Sequence, residues 1–134
     1  MTIEYSDAWL IQSIFHTEKN SQDFKLTDML AYADYVNHAI MSFHEFGQGL
    51  KKLIALGLIK ENEKNLVATD AFKDWWNKKN ANKKRIYGLA ELEQIKSFLE
   101  KLSKDVEWDY DTIEIQTNEI DFDHAVKDYL EKMK

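Results

Sequence analysis

A chain of 134 residues with 44% apolar and 13% aromatic side chains fits one domain with an appendage and carries enough apolar surface for a core. The absence of cysteine excludes disulfides and thiolate metal sites, and no apolar run reaches the roughly 20 residues of a membrane span. The net charge of −6 is unevenly placed: residues 1–90 hold 12 basic and 11 acidic side chains, a balance of +1, whereas residues 91–134 hold 6 and 13, a balance of −7. That asymmetry predicts a division into residues 1–87 and an acidic C-terminal extension, 88–134. The opening MTIEYSDAW has no basic stretch followed by an apolar core, so a signal peptide is not expected and a cytoplasmic location is.

Ser6 can cap a first helix over Asp7–Lys19, with Leu10, Ile11, Ile14 and Phe15 as its apolar face. Asn20–Asp23 reads as a turn, and Phe24-Lys25-Leu26 as a short strand pairing with a later hairpin. Thr27 then caps a second helix from Asp28 to about His38, striped by Met29, Leu30, Ala33 and Val36. The stretch that organises the chain follows. Ser42 and Glu45 make a capping box, Phe46, Leu50, Leu53 and Ile54 recur at helical spacing, and Gly57 stops the helix. The period then changes to two short strands, Leu58–Lys60 and Leu66–Ala68, around a polar turn at 61–65. Thr69 or Asp70 caps a further helix anchored by Phe72, Trp75 and Trp76.

Asn77–Arg85 is the one strongly basic run, a helix end or a linker. Gly88–Lys101 predicts a long amphipathic helix with Leu89, Leu92, Ile95, Leu99 and Leu102 on one face. Val106, Trp108 and Tyr110 alternate with acidic residues, as do Ile113 and Ile115, which predicts a bent strand or an extended loop. Asp121 caps a last helix striped by Phe122, Ala125, Val126, Tyr129, Leu130 and Met133.

Leu50, Leu53, Gly57, Leu58 and Ile59, followed after the hairpin by Leu66-Val67-Ala68-Thr69, resemble the winged-helix superfamily of bacterial transcription regulators over about residues 6–77. Asp34, Asn37 and His38 are similar to a pattern in uncharacterised winged-helix proteins, to which no role attaches. The resemblance implies an α+β, mostly helical fold: a winged helix-turn-helix core with a helical and extended C-terminal segment. Two departures stand beside it. Ala71-Phe72 occupies the place where the family pattern usually has a glycine, and the wing lacks arginine, setting Glu61 and Glu63 against Lys60 and Lys64.

What the resemblance implies in function is a non-catalytic transcription regulator that binds duplex DNA, or a protein–protein adaptor using the same surface. The helix after Ser42 would be the recognition helix, with His44, Gln48, Lys51, Lys52 and Ala55 nearer the outer face. Gln48 suits adenine, and the lysines suit phosphate or guanine. Lys64 in the wing and Lys78, Lys79, Lys83, Lys84 and Arg85 in the basic run would hold phosphate, with Trp75, Trp76 and Tyr87 stacking or, more simply, with the two tryptophans in the core of a solvated helix end. Gly49 would let the second helix pack closely. The acidic C-terminal third would face away from DNA, and its two apolar stripes would pack on the core or form a homodimer through residues 88–103 and 121–133.

His16, His38, His44 and His124 fall in no ligand spacing, so neither metal nor cofactor is expected, and His38 is explained by the end of its helix. GxSxG, GxGxxG and the Walker loop are absent as well, so catalysis is not expected.

Overall fold

The computed structural model describes residues 1–21, 23–81, 86–104, 106 and 109–134; Lys83, Lys84, Arg85 and Trp108, named above, lie outside the described residues. In chain order the elements are α1 (Tyr5–Asn20), α2 (Leu26–Asn37), α3 (Phe43–Ala55), β1 (Ile59–Asn62), β2 (Asn65–Ala68), α4 (Asp70–Asn80), α5 (Gly88–Ser103), a single 3₁₀ turn at Tyr110–Thr112, and α6 (Glu119–Lys132). The coarse class is therefore mostly helical with one two-stranded antiparallel sheet.

α1 is the centre. Every residue from Asp7 to Phe15 is buried, which marks a helix enclosed on all sides, and α2, α3, α5 and β2 pack around it. It starts at Tyr5, because the carboxylate of Asp7 reaches back to accept from the Glu4 N–H at 2.7 Å. That bond satisfies an orphan donor of the first turn, so Ser6 lies inside the helix and is not its cap.

α2 also begins earlier than expected. Lys25 holds the cap position, and Phe24–Leu26 forms no strand, since the sheet has only β1 and β2 among the described residues. Phe24 and Leu26 pack on the core instead. Thr27 donates its hydroxyl to Asp128 of α6 at 3.0 Å rather than capping α2. His38 ends the helix in the left-handed region, φ 53°, with its N–H on the Asp34 carbonyl.

The Ser42 capping box forms as read: Glu45 N–H donates to Ser42 Oγ at 3.1 Å, and Ser42 N–H to Glu45 Oε1 at 3.0 Å. At the other end Gly57 takes φ 73°. Its N–H bonds the Ile54 carbonyl while the Leu58 N–H bonds that of Leu53, the paired bonds of a Schellman ending. The hairpin is tighter than expected. Asn62 pairs with Asn65, leaving Glu63 and Lys64 as a two-residue turn, both left-handed, at φ 50° and 70°. Such a turn matches the twist of the strands it joins, so Glu61, Asn62 and Asn65 belong to the strands. Thr69 sits at the N-cap of α4, but its hydroxyl donates to the Gly57 carbonyl, tying the hairpin's exit to the end of α3.

The C-terminal third packs into the same core. Leu92, Ile95 and Leu99 of α5, and Phe122 and Ala125 of α6, join one apolar cluster with α1 to α4. The stripe of α5 differs from the one expected: Leu89 and Leu102 are exposed, and Glu91 is buried in their place. Helix geometry explains the first exchange. At 100° per residue, Glu91 falls about 70° from the centre of the Leu92–Ile95–Leu99 face and Leu89 about 90°. Asn118, not Asp121, caps α6, accepting from the Asp121 N–H at 2.8 Å. Leu130 and Met133 remain exposed. The remaining stripe residues are covered within the chain: α5 lies on α1 and α6 on α2. None of the described helices is long and apolar enough to cross a membrane.

Candidate interaction face on α3 and the hairpin

α3 presents the residues that the sequence singled out, yet it is enclosed over a wider arc than its apolar stripe. The cause is Gly49. A Cβ there would stand 3.0 Å from Leu10 Cδ2 and 3.1 Å from Asp7 Oδ1. The bare backbone therefore lets α1, not α2, come against α3, and this brings Asp7 over Lys52. The Lys52 ammonium donates to the Asp7 carboxylate at 3.0 Å, with both side chains buried. The ring of Tyr110 lies 5.6 Å from the same ammonium. Lys52 is thus a buried structural cation, which corrects its assignment to an outward, phosphate-meeting face.

His44 is exposed, and Gln48 and Lys51 are half-buried. His44 and Gln48 form a ridge between two grooves. One, of about 320 Å³, runs between α3 and the C-terminal segment and is completed by Phe43, Gly47, Lys51, Ile115 and Glu119. The other, of about 510 Å³, reaches the start of α1 and is lined by Glu4, Glu45, Lys52 and Tyr110 among others. Carboxylates of Glu4, Glu45 and Glu119 therefore share these grooves with the residues expected to read bases.

The hairpin is engaged by the acidic segment. Glu61 accepts from the backbone N–H of Gln116 at 2.6 Å, from the N–H of Thr117 at 3.2 Å and from the Thr117 hydroxyl at 3.2 Å. Lys64 donates its backbone N–H to Gln116 Oε1 at 3.0 Å, and its ammonium to Asp121 at 2.7 Å. Ile115 reaches over Gly47, where an added Cβ would meet its Cδ1 at 3.7 Å. The segment Tyr110–Asp121 therefore lies across both α3 and the hairpin. The expectation that the acidic third faces away from this surface is corrected. Its backbone donors needed an acceptor once extended chain was laid beside β1, and Glu61 supplies it.

The remaining predicted contacts stand apart. Lys78 and Lys79 are exposed in the last turn of α4. Lys79 lines a different groove, between α4 and α5, with Trp75, Phe98 and Lys101, and no residue of it borders the α3 grooves. Trp75 stacks on Phe98 at 4.5 Å, and Trp76 is buried, so neither ring is laid open for stacking beside the basic run.

Sequence reasoning missed a second polar centre. Glu91, 4% exposed, accepts from His16 Nε2 at 2.6 Å, Trp76 Nε1 at 3.0 Å and Gln12 Nε2 at 3.0 Å. Burial pushes its carboxyl up, but the hydrogen bonds from His16 and Trp76, the nearness of His16 and the bond from Gln12 outweigh that and hold it below the ordinary carboxylate value. The available signal was the position of Glu91 on the buried arc of α5; nothing marked its partners on α1 and α4.

Among the described residues, no group of three or more His, Asp or Glu side chains is arranged to hold a metal ion. No family model, curated protein or solved structure matches this chain.

Proposed function

We propose that this chain is a non-catalytic interaction adaptor of the winged-helix type, in which α3 and the hairpin form a face for an extended acidic peptide segment. One observation carries the reading: the seat of Tyr110–Asp121, where Glu61 takes two consecutive backbone N–H groups and Lys64 an acidic side chain. Backbone donors give affinity independent of sequence, and side chains such as Ile115 and Asp121 add selectivity. In the isolated chain this seat is filled from within, at the high effective concentration of a tethered segment. A protein partner would offer a similar segment and compete for it.

A second reading, duplex DNA, is favoured by the placement of His44, Gln48 and Lys51 along one side of α3. It requires the acidic segment to leave. Fluorescence anisotropy with genomic duplex fragments at low salt separates the two. The adaptor reading expects no saturable binding. Binding whose log affinity falls by about 0.9 per log unit of salt for each phosphate contact, and whose slope flattens in Lys51→Ala, would overturn it. Lys52 is unsuitable for this test because it is buried against Asp7.

A further inference from the structure

Away from α3, the Glu91 centre opens into a pocket of about 240 Å³ whose walls are His16, Tyr32, Tyr35, Trp76 and Tyr87, with Ile86 and Lys19 at its edge. The rings come from three helices and the entry to α5. His16 stacks on Tyr32 at 4.9 Å and meets Trp76 edge-on at 6.2 Å. Tyr32 and Tyr35 lie 6.1 Å apart. Tyr35 and Tyr87 are 78% and 68% exposed, so most of their aromatic surface is uncovered beside the pocket.

Glu91 gives this pocket its sign. Its three donors are an amide, an indole and an imidazole, and of these only His16 can carry a charge. Its influence reaches the wall: burial first, and then the charge of Glu91, push the Tyr32 hydroxyl up. Trp76 already attracts a cation, since the ammonium of Lys19 lies 4.1 Å from its ring centroid. Ring faces and a buried anion together favour positive charge.

The lone pairs decide which cation. Glu91 is already engaged by three donors, so what the pocket leaves to a cation is charge, ring surface and the neutral amide of Asn20. A primary ammonium or a guanidinium needs more acceptors than these, and each N–H left unmatched carries a desolvation cost. A quaternary ammonium has no N–H to satisfy and presents methyl groups to the rings.

We infer that this pocket is a binding site for a small quaternary ammonium cation, with Glu91 supplying the charge and Trp76, Tyr35 and Tyr87 the aromatic surface. Lys19 then acts as the resident competitor at Trp76. The site is separate from the α3 face and does not rest on the adaptor reading.

The test is a titration of the full chain with tetramethylammonium chloride and, separately, choline chloride, with sodium chloride keeping ionic strength fixed. The readouts are the Trp76 indole N–H resonance and calorimetry. The expected result is saturable binding, weakened roughly two- to fivefold in Tyr87→Ala, as for the loss of one exposed cation–π contact, and tightened in Lys19→Ala. Both positions are exposed, so these variants keep the test valid even if Glu91→Gln fails to fold. A Trp76 response that is linear and matched by sodium, tighter binding of guanidinium at equal ionic strength, or unchanged affinity in Tyr87→Ala would overturn the inference.

Discussion

Asp7 and Glu91 are both buried carboxylates that meet side chains of α1 or belong to it, and their charges are met in different ways. Asp7, in the first turn, faces a full cation, Lys52, at 3.0 Å, and that ion pair is buried between α1 and α3 along the groove that Tyr110 also lines. Glu91, on α5, faces His16, Trp76 and Gln12 near the other half of α1 and borders an open aromatic pocket. The first arrangement neutralises charge in place and acts as a clamp. The second satisfies hydrogen bonds without a permanent cation, so negative potential persists beside accessible rings. Buried charge is structural where a permanent counter-charge is built in, and available for recognition where two neutral donors and a titratable imidazole answer it.

The comparison breaks most visibly at Lys52. Lys52→Ala leaves Asp7 buried and uncompensated, and we expect a loss of about 3–5 kcal/mol in urea unfolding. A loss below 1 kcal/mol would mean that Asp7 reaches water.

Glu91→Gln should cost less, about 1.5–3 kcal/mol, the range for hydrogen bonds to a charged group. The pH dependence has a definite sign. Because the folded-state value of Glu91 lies below its ordinary 4.5, its contribution is fully present above that value and is lost as pH falls from there through the lowered folded value. Glu91→Gln should therefore flatten part of the acid limb of the stability profile. An unchanged acid limb would show that Glu91 titrates alike in both states.

Two glycines of α3 sharpen the contrast between a closed and a permissive contact. Gly→Ala inside a helix gains up to about 1 kcal/mol of propensity. At Gly49 that gain meets Leu10 and the clamped Asp7 at 3.0 and 3.1 Å, and overpacking of this kind costs about 1–3 kcal/mol, so Gly49→Ala should be destabilising. At Gly47 the neighbour is Ile115 at an ordinary 3.7 Å, and Gly47→Ala should stabilise by a few tenths of a kcal/mol up to about 1. Thermal unfolding of the pair checks the opposite signs. Smallest of all, Lys64→Ala removes a largely exposed pair with Asp121 and should change stability by less than about 1 kcal/mol.

Much of the framework was legible in local chemistry. The Ser42 box, the Gly57 stop, the hairpin and the five other α-helices around them follow from apolar spacing, left-handed glycine and a change of period. Errors arose where an unexpected group intervened, once from nearby and twice from far along the chain. Asp7 drew the start of α1 past Ser6, Asp128 took the hydroxyl of Thr27, and the hairpin found its partner in residues 116–117 rather than in Phe24–Leu26. The outward face of α3 was misjudged at Lys52 because the helical period reports one buried stripe, whereas Gly49 admits α1 on another side. Gln12, His16 and Trp76 are 79, 75 and 15 residues from Glu91, a separation at which no spacing rule operates.

The central claim, that α3 and the hairpin bind an extended acidic segment, is tested most directly by supplying that segment in trans. Ile115→Asp should loosen the tethered copy, which amide exchange at Gln116 and Thr117 would register as faster. A synthetic peptide spanning Asp109–Asp121 should then bind this variant saturably, and the added change Glu61→Ala should abolish that binding. Fast exchange at Gln116 and Thr117 with no peptide binding would contradict the account.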